Sequence, residues 1–146
     1  MKCKGIEILL VEDNPDDVKL TLRALKKHHL ANKVYVVNDG VEALDYIFAK
    51  NQYSNRNIKD TPKVIFLDLK LPRVSGLEVL EIIKKDTQTK NIPVVVLTSS
   101  REEQDIIDSY NLGVNSYIVK PIGFDKFVKS IADLGLYWLV MNELPD

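Results

Sequence analysis

The chain has 146 residues, a common length for one domain, and 45% of them are hydrophobic, as in an ordinary globular protein. Lysine and arginine number 20, and aspartate and glutamate number 21. The resulting net charge of -1 argues against a nucleic-acid-binding protein. The single cysteine, Cys3, excludes an internal disulfide bond and favours a reducing, cytoplasmic location. No apolar run is long enough for a membrane span, and the first residues lack the pattern of a secretory signal.

Five short apolar runs predict five buried strands, and helical patterns separate them. In chain order the runs are Ile6–Val11, Val34–Val37, Val64–Leu67, Pro93–Leu97 and Ser116–Val119. Continuously apolar strands that alternate with helices are typical of a parallel sheet covered on both faces. With right-handed crossovers, these elements predict a doubly wound α/β fold in a single domain, residues 1–146.

Apolar residues at helical spacing follow each predicted strand. The first helix begins at Asn14-Pro15, with two aspartates suited to the positive end of the helix dipole. Residues 51–62 are polar and aperiodic, which predicts an exposed loop of about twelve residues. A fifth helix is predicted over about residues 123–144. The predicted apolar face of the second helix consists of Val41, Leu44, Ile47 and Phe48.

Polar side chains follow every predicted strand, and those after the second strand, Asn38-Asp39, would lie at the edge of the sheet. Glu12 and Asp13 follow the first, Asp68 the third, Thr98 the fourth and Lys120 the fifth. In open parallel sheets, ligands bind outside the carboxyl ends of the strands. We therefore expect three carboxylates, one hydroxyl and one ammonium to converge at one edge of the sheet.

Such a cluster has a limited chemical repertoire. Two unit charges about 4 Å apart repel by about 4 kcal/mol at an effective dielectric constant of about 20, so clustered carboxylates bind a proton or a cation. Oxygen ligands without histidine or cysteine favour Mg²⁺ or Mn²⁺ over Zn²⁺. A divalent ion beside Lys120 and Thr98 suits a phosphoryl group, and Asp68 is the carboxylate expected to act as nucleophile. Each residue alone is more often a helix cap or a solvated charge, and only their combination predicts a function.

Four motifs follow one another along the chain, namely Val11-Glu12-Asp13-Asn14, Asp68 with Leu71-Pro72 and Gly76, Thr98-Ser99, and Lys120-Pro121. In this order and spacing, they make the chain resemble the receiver domain of two-component response regulators over about residues 5–134. The resemblance implies a flavodoxin-like five-stranded parallel sheet in the order 2-1-3-4-5, with five helices.

The resemblance also implies a role for each site residue. Asp68 would be the phosphoacceptor and a ligand of Mg²⁺, and Asp13 would bind the metal directly. Glu12 would act mainly through a water, and the backbone carbonyl of Lys70 would complete the ligand set. Lys120 would pair with the phosphoryl group.

Two further residues would form the switch. Thr98 would hydrogen-bond to the new phosphoryl group, and Tyr117 matches the aromatic residue that turns inward on activation. The Lys120-Pro121 bond would be cis, an expectation that rests on the resemblance alone.

These roles imply a signalling protein whose only catalysis is its own phosphorylation and dephosphorylation. A sensor histidine kinase would be the donor to Asp68, and a downstream protein or phosphotransfer partner would be the target. The loop at residues 51–62 and Leu71-Pro72-Arg73 resemble single-domain regulators linked to phytochrome-type kinases. We expect no nucleic-acid or membrane partner.

Alternatives remain open at this level. A haloacid-dehalogenase-like phosphatase shares the nucleophilic aspartate but needs a second aspartate where this chain has Lys70. A non-phosphorylated interaction module would have lost one of the acidic or lysine positions, and all are present. The adjacent His28 and His29 face different directions on a helix, so we expect them to cap or solvate its end rather than to share a metal.

The predicted fifth helix is apolar around most of its circumference, whereas packing on a sheet needs only one apolar stripe. The surplus favours a homodimer through this helix and the face of the fourth and fifth helices. Burial against the domain's own loops is the alternative.

Overall fold

The protein structure, a computed structural model, describes residues 8–27 and 33–120. Several sequence predictions lie outside these residues. They are the fifth helix with its dimer surface, the bond to Pro121, the two histidines and Cys3.

The strands form one parallel sheet in the order β2-β1-β3-β4-β5, which confirms the predicted flavodoxin-like topology. All residues of β1, β3 and β4 are buried, because these inner strands have neighbours on both sides and helices above and below. The strands are β1 Ile8–Val11, β2 Val34–Val37, β3 Val64–Leu67, β4 Val94–Thr98 and β5 Ser116–Val119.

Four α-helices lie within the described residues, namely α1 Pro15–Lys27, α2 Gly40–Ile47, α3 Gly76–Lys85 and α4 Glu103–Asn111. Successive side chains of a strand point to opposite faces, so β1 contributes to two apolar cores. Leu9 and Val11 pack in the core that includes α2 and α3, whereas Ile8 and Leu10 pack with α1. Burial of both faces fixes the sheet firmly between the helices.

The second helix is rotated relative to its predicted orientation. Ile47 is buried as expected, but Leu44 and Phe48 are only partly buried. Ala43 and Tyr46 are buried in their place. The apolar pattern predicted the helix correctly and its buried face only in part.

The segment at residues 51–62 is anchored to the domain, whereas the sequence predicted only an exposed loop. It contains a short 3-10 helix, Asn51–Tyr53. The Tyr53 hydroxyl donates to Glu42 Oε2 at 2.6 Å and lies 2.9 Å from the Tyr35 hydroxyl. The Arg56 guanidinium lies over the Tyr46 ring, 3.9 Å from its centroid, and donates to the Tyr46 carbonyl. These contacts tie the segment to α2 and β2.

Asp39 caps the start of α2. Its Oδ1 accepts from the Glu42 backbone N–H at 2.8 Å, and Arg73 Nη2 lies 3.0 Å from both carboxylate oxygens. Burial favours the neutral carboxyl, but these two donors outweigh it and lower the pKa of Asp39 below its usual value.

We expect Asp39→Asn to reduce the free energy of unfolding at neutral pH by up to about 1 kcal/mol, because asparagine keeps the cap but loses the charge contact with Arg73. A carboxyl whose pKa falls on folding stabilises the fold above its unfolded pKa of about 3.8, and this contribution disappears as the pH falls through the lower folded pKa. Chemical denaturation at a series of pH values, from neutral to strongly acidic, should therefore show that the free energies of unfolding of wild type and Asp39→Asn converge as the pH falls.

Asp45→Asn on the same helix is the control, since Asp45 accepts from the neutral Asn51 side chain. A difference in the free energy of unfolding between wild type and Asp39→Asn that stays constant down to strongly acidic pH would contradict this account.

Candidate functional site

Backbone hydrogen bonds continue one residue beyond the strands and bring three predicted site residues to one edge of the sheet. The N–H of Asp68 donates to the Val11 carbonyl at 3.0 Å, which places Asp68 beside Glu12. The N–H of Lys120 donates to the Thr98 carbonyl at 2.8 Å. Because parallel strands all end at the same edge, each side chain leaves the sheet in the same region.

The three predicted acidic residues form a cluster of oxygen donors. Glu12, Asp13 and Asp68 each offer one carboxylate oxygen, and these oxygens lie within 4.8 Å of one another. Glu12 and Asp68 are buried, and Asp13 is exposed. In octahedral coordination with metal–oxygen distances of about 2.1 Å, neighbouring ligands lie about 3.0 Å apart and opposite ligands about 4.2 Å apart. The three carboxylate oxygens lie close to this range, so the residues fit a divalent cation.

Lys120 lies among the carboxylates, and its side chain is 10% exposed. Its Nζ is 2.5 Å from Glu12 Oε1, 2.8 Å from Asp17 Oδ2 and 3.2 Å from Asp68 Oδ2. Burial lowers the pKa of Lys120, but the hydrogen bonds to Asp17 and Glu12 outweigh it and raise the pKa above its usual value. Lys120 is therefore a permanently charged ammonium at this edge.

Glu12 is buried among charges of both signs. Burial raises the pKa of Glu12 to about 7, and although the hydrogen bond from Lys120 opposes this rise, the charge of Asp68 adds to it. The cluster holds the carboxylates of Glu12, Asp13, Asp17 and Asp68 against the one ammonium of Lys120, which therefore compensates the acidic residues only in part. A cation with oxygen ligands would supply the remaining positive charge.

The structure orients Lys70 in a way that the sequence did not predict. Its backbone N–H donates to Asp68 Oδ1 at 3.2 Å. The Lys70 side chain is 60% exposed, with its Nζ 3.9 Å from Asp105 Oδ2 near the start of α4. The side chain thus points toward α4, and metal ligation by the Lys70 carbonyl stays a prediction.

The two predicted switch residues are joined through the loop that follows β4. Thr98 is fully buried, and its Oγ1 accepts from the Ser100 N–H at 3.3 Å. The Tyr117 hydroxyl donates to the Ser100 carbonyl at 3.1 Å. Ser100 Oγ in turn donates to Asp105 Oδ2 at 2.6 Å. Ser100 therefore connects the end of β4 with β5 and α4.

Sequence reasoning missed Asp17, Ser100 and Asp105. Asp17 was interpreted only as an acidic residue suited to the helix dipole, yet its carboxylate contacts Lys120. The sequence carried a weaker signal, because Asp17 lies in the first turn of the helix that begins just after Glu12 and Asp13.

Comparison with known proteins identifies the family of this domain. A sequence model of the response regulator receiver domain matches residues 8–132. The chain belongs to the response regulator receiver domain family. Response regulator Rcp1 from Synechocystis sp. is 38% identical over 138 residues, covering 94% of this chain and 92% of the relative. The probable methanogenesis regulatory protein FilR2 from Methanothrix harundinacea is 38% identical over 138 residues, covering 94% of this chain and 86% of that relative.

Solved structures of phytochrome response regulators are also similar to this receiver domain. The bacteriophytochrome response regulator AtBRR is 55% identical with a TM-score of 0.81, covering 93% of this chain and 96% of the other. The phosphorylated cyanobacterial regulator RcpA is 37% identical with a TM-score of 0.76, covering 97% and 98%. Mn(2+)-bound Rcp1 is 38% identical with a TM-score of 0.75, covering 90% and 93%. The predicted similarity to phytochrome-linked regulators is confirmed.

Family membership places this receiver domain in two-component signalling, in which receiver domains interact with sensor histidine kinases. It decides between the receiver and the phosphatase interpretations that the sequence left open. Among residues 8–27 and 33–120, no helix combines the length and the apolar character needed to cross a membrane.

Gly76, at the start of α3, lies directly against the backbone of Asp68 and Leu69. A Cβ at this position would lie 2.3 Å from the Asp68 carbonyl oxygen and 2.5 Å from the Leu69 Cα. Both neighbours are backbone atoms, which cannot rotate away. The Gly76 N–H also donates to the Leu69 carbonyl at 2.9 Å, so the helix start and the segment after β3 are held together.

We expect Gly76→Ala to lower the free energy of unfolding by about 1–3 kcal/mol, because the added methyl group must displace backbone in a tightly packed turn. The amide NMR signals of Asp68 and Leu69 should shift with it. Lys85→Ala, at the exposed end of the same helix, is the control and should change stability little. Unchanged stability and unchanged signals in Gly76→Ala would show that the turn has more room than the structure indicates.

Proposed function

We propose that this receiver domain is the phosphoacceptor of a two-component system and that Asp68 receives the phosphoryl group from a phosphohistidine of a sensor histidine kinase. One observation carries the proposal: the Lys120 ammonium contacts Asp68 and Glu12 beside three oxygens that fit a divalent cation. An anionic group that joins Asp68 would thus arrive where positive charge is already fixed.

The transfer needs little covalent chemistry from the protein. A carboxylate oxygen of Asp68 attacks phosphorus, and the phosphorus–nitrogen bond of the donor breaks as the new phosphorus–oxygen bond forms. The imidazole nitrogen leaves with the electron pair and takes a proton from solvent. Lys120 stays protonated and stabilises the charge on the transferred oxygens. The protein is used as an acceptor in this reaction and does not turn over a separate substrate.

The proposed cofactor is Mg²⁺, bound by Glu12, Asp13 and Asp68 together with the backbone carbonyl of Lys70. When bound, the ion would neutralise charge shared by the carboxylates and the phosphoryl oxygens. The spacing of the three carboxylate oxygens supports this assignment, and the related regulator Rcp1 has a Mn(2+)-bound structure.

The proposed output is a change of shape on the face formed by α4 and β5. Thr98 would move toward the phosphoryl oxygens, and Tyr117 would turn into the space that it leaves. The contacts of Ser100 with Thr98, Tyr117 and Asp105 support a path from the acceptor to α4. A downstream protein or phosphotransfer partner in the cytoplasm would bind this face. The same face would form part of the interface of the proposed homodimer.

We expect Asp68→Asn to abolish labelling by radioactive acetyl phosphate in the presence of Mg²⁺, because the amide nitrogen and oxygen are poor nucleophiles. Asp86→Asn is the control. Asp86 follows the end of α3 and therefore lies at the opposite edge of the sheet from Asp68. Labelling that persists in Asp68→Asn would assign the acceptor to another residue.

We expect Thr98→Ala to be labelled by acetyl phosphate like wild type. The conformational response at Tyr117 should be weaker than in wild type. The variant loses one hydrogen bond to a charged phosphoryl group, worth about 1.5–3 kcal/mol, which shifts a two-state equilibrium by roughly tenfold or more. The NMR signals of the Tyr117 ring, followed on addition of beryllofluoride and Mg²⁺, measure the response. Thr87→Ala, an exposed threonine, is the control. A Tyr117 shift as large as in wild type would refute the coupling.

A further inference from the structure

The segment that leads from Asp68 to α3 has a strained backbone at Arg73. The φ angle of Arg73 is 67°, in the left-handed region that a residue with a Cβ adopts only at a cost in free energy. Such strain persists where the surrounding structure holds it, and it is frequent in segments that bind ligands. The same segment contains Lys70, whose backbone carbonyl is one of the proposed ligands of Mg²⁺. The contacts that hold Arg73 in this conformation therefore bear on the proposed metal site.

Contacts with the start of α2 hold this strained backbone. Arg73 Nη2 lies 3.0 Å from both carboxylate oxygens of Asp39. The Gly40 N–H donates to the Pro72 carbonyl at 3.4 Å, and a Cβ at Gly40 would lie 2.1 Å from the Val74 carbonyl oxygen. The backbone on both sides of Arg73 is thus packed against α2, and the ion pair with Asp39 fixes the residue between them.

Lys70 lies between Asp68 and these contacts. Its backbone N–H donates to Asp68 Oδ1 at 3.2 Å, and the contacts with α2 begin two residues later, at Pro72. Pro72 has a fixed φ angle and restricts Leu71 before it to extended backbone. Few backbone angles are therefore free between the two anchors, and we expect a change at Arg73 to displace the Lys70 carbonyl.

We propose that Arg73 is a positioning residue for the metal site, because its ion pair with Asp39 holds the left-handed backbone that keeps the Lys70 carbonyl in place for Mg²⁺. The inference rests on the proposed function, which supplies Mg²⁺ and this carbonyl as a ligand. Without the ion pair, the cost of the left-handed backbone is no longer offset, and the segment adopts other conformations. The apparent affinity for Mg²⁺ falls with the fraction of molecules whose segment is in place.

Two substitutions of Arg73 that remove the same charge separate the backbone from the charge. Arg73→Ala loses the ion pair but keeps a Cβ, so the cost of the left-handed backbone remains. Arg73→Gly also loses the ion pair, but glycine adopts this backbone without that cost. The Kd for Mg²⁺, measured by isothermal titration calorimetry, should be about two- to fivefold weaker in Arg73→Ala than in wild type, as expected for the loss of one partly exposed ion pair. The Kd of Arg73→Gly should lie closer to that of wild type.

Electrostatics alone predicts a change of the opposite sign. Removing a positive charge near the carboxyl ends of the strands lessens the repulsion of Mg²⁺ and so tightens its binding. Arg101→Ala is the control for this effect, because Arg101 is exposed and follows the end of β4 at the same edge of the sheet. It should bind Mg²⁺ at least as tightly as wild type. Arg73→Lys keeps the charge without the two-pronged geometry of arginine and should fall between wild type and Arg73→Ala.

Mn²⁺ reports on the position of the carbonyl itself. Paramagnetic broadening of an NMR signal falls steeply with distance from Mn²⁺, so the signal of the Lys70 carbonyl carbon can be compared between variants at equal occupancy of the site. We expect less broadening in Arg73→Ala than in Arg73→Gly, and equal broadening of the Asp13 carboxyl carbon in the two variants. Thermal unfolding verifies that each variant is folded.

The outcomes distinguish this inference from the proposed function. If wild type binds Mg²⁺ but Arg73→Ala binds it as tightly as Arg73→Gly, the role of Arg73 is overturned and the proposed function stands. Equal broadening of the Lys70 carbonyl signal in these two variants overturns the role in the same way. If wild type binds no Mg²⁺ at millimolar concentrations, the proposed cofactor and this inference are both overturned.

Discussion

The site depends on the contacts of one ammonium with the carboxylates around it. Two carboxylates about 4 Å apart repel by about 4 kcal/mol at an effective dielectric constant of about 20, and several of them meet at this edge of the sheet. Lys120 contacts three of them and offsets part of the repulsion. With Asp13 there are four carboxylates and one ammonium, so negative charge remains in excess. The same imbalance that makes the edge costly to fold makes it attractive to a divalent cation.

The parallel sheet makes this concentration of charge possible. Every strand ends at the same edge, and backbone hydrogen bonds extend past the strands to Asp68 and Lys120. Apolar side chains on both faces of the inner strands hold the sheet between helices, so the strand ends have little freedom to separate. Gly76 adds a close approach of α3 to the backbone of Asp68 and Leu69. Hydrophobic burial therefore stabilises an arrangement that electrostatics alone would oppose.

Two separate networks surround this edge. Ser100 joins Thr98, Tyr117 and Asp105, and so connects the strand ends with α4. On the side of the edge strand β2, aromatic and charged contacts anchor the segment after α2, including the Tyr53 hydroxyl on Glu42. The first network begins at a strand end and leads from this edge of the sheet to α4. The second gives the surface near β2 a defined shape.

Apolar runs and strand-end positions are local properties of the chain, so the fold class and the residues that meet at the edge could be predicted from the sequence, and the strand order followed from the family resemblance. The contact of Asp17 with Lys120, a residue 103 positions away, and the burial of Tyr46 by α2 became visible with the three-dimensional structure. The structure also decided that the Lys70 side chain reaches toward Asp105. Local pattern predicts that a helix forms, but its rotation against the sheet follows from the packing of distant residues, and that rotation sets where each polar side chain points.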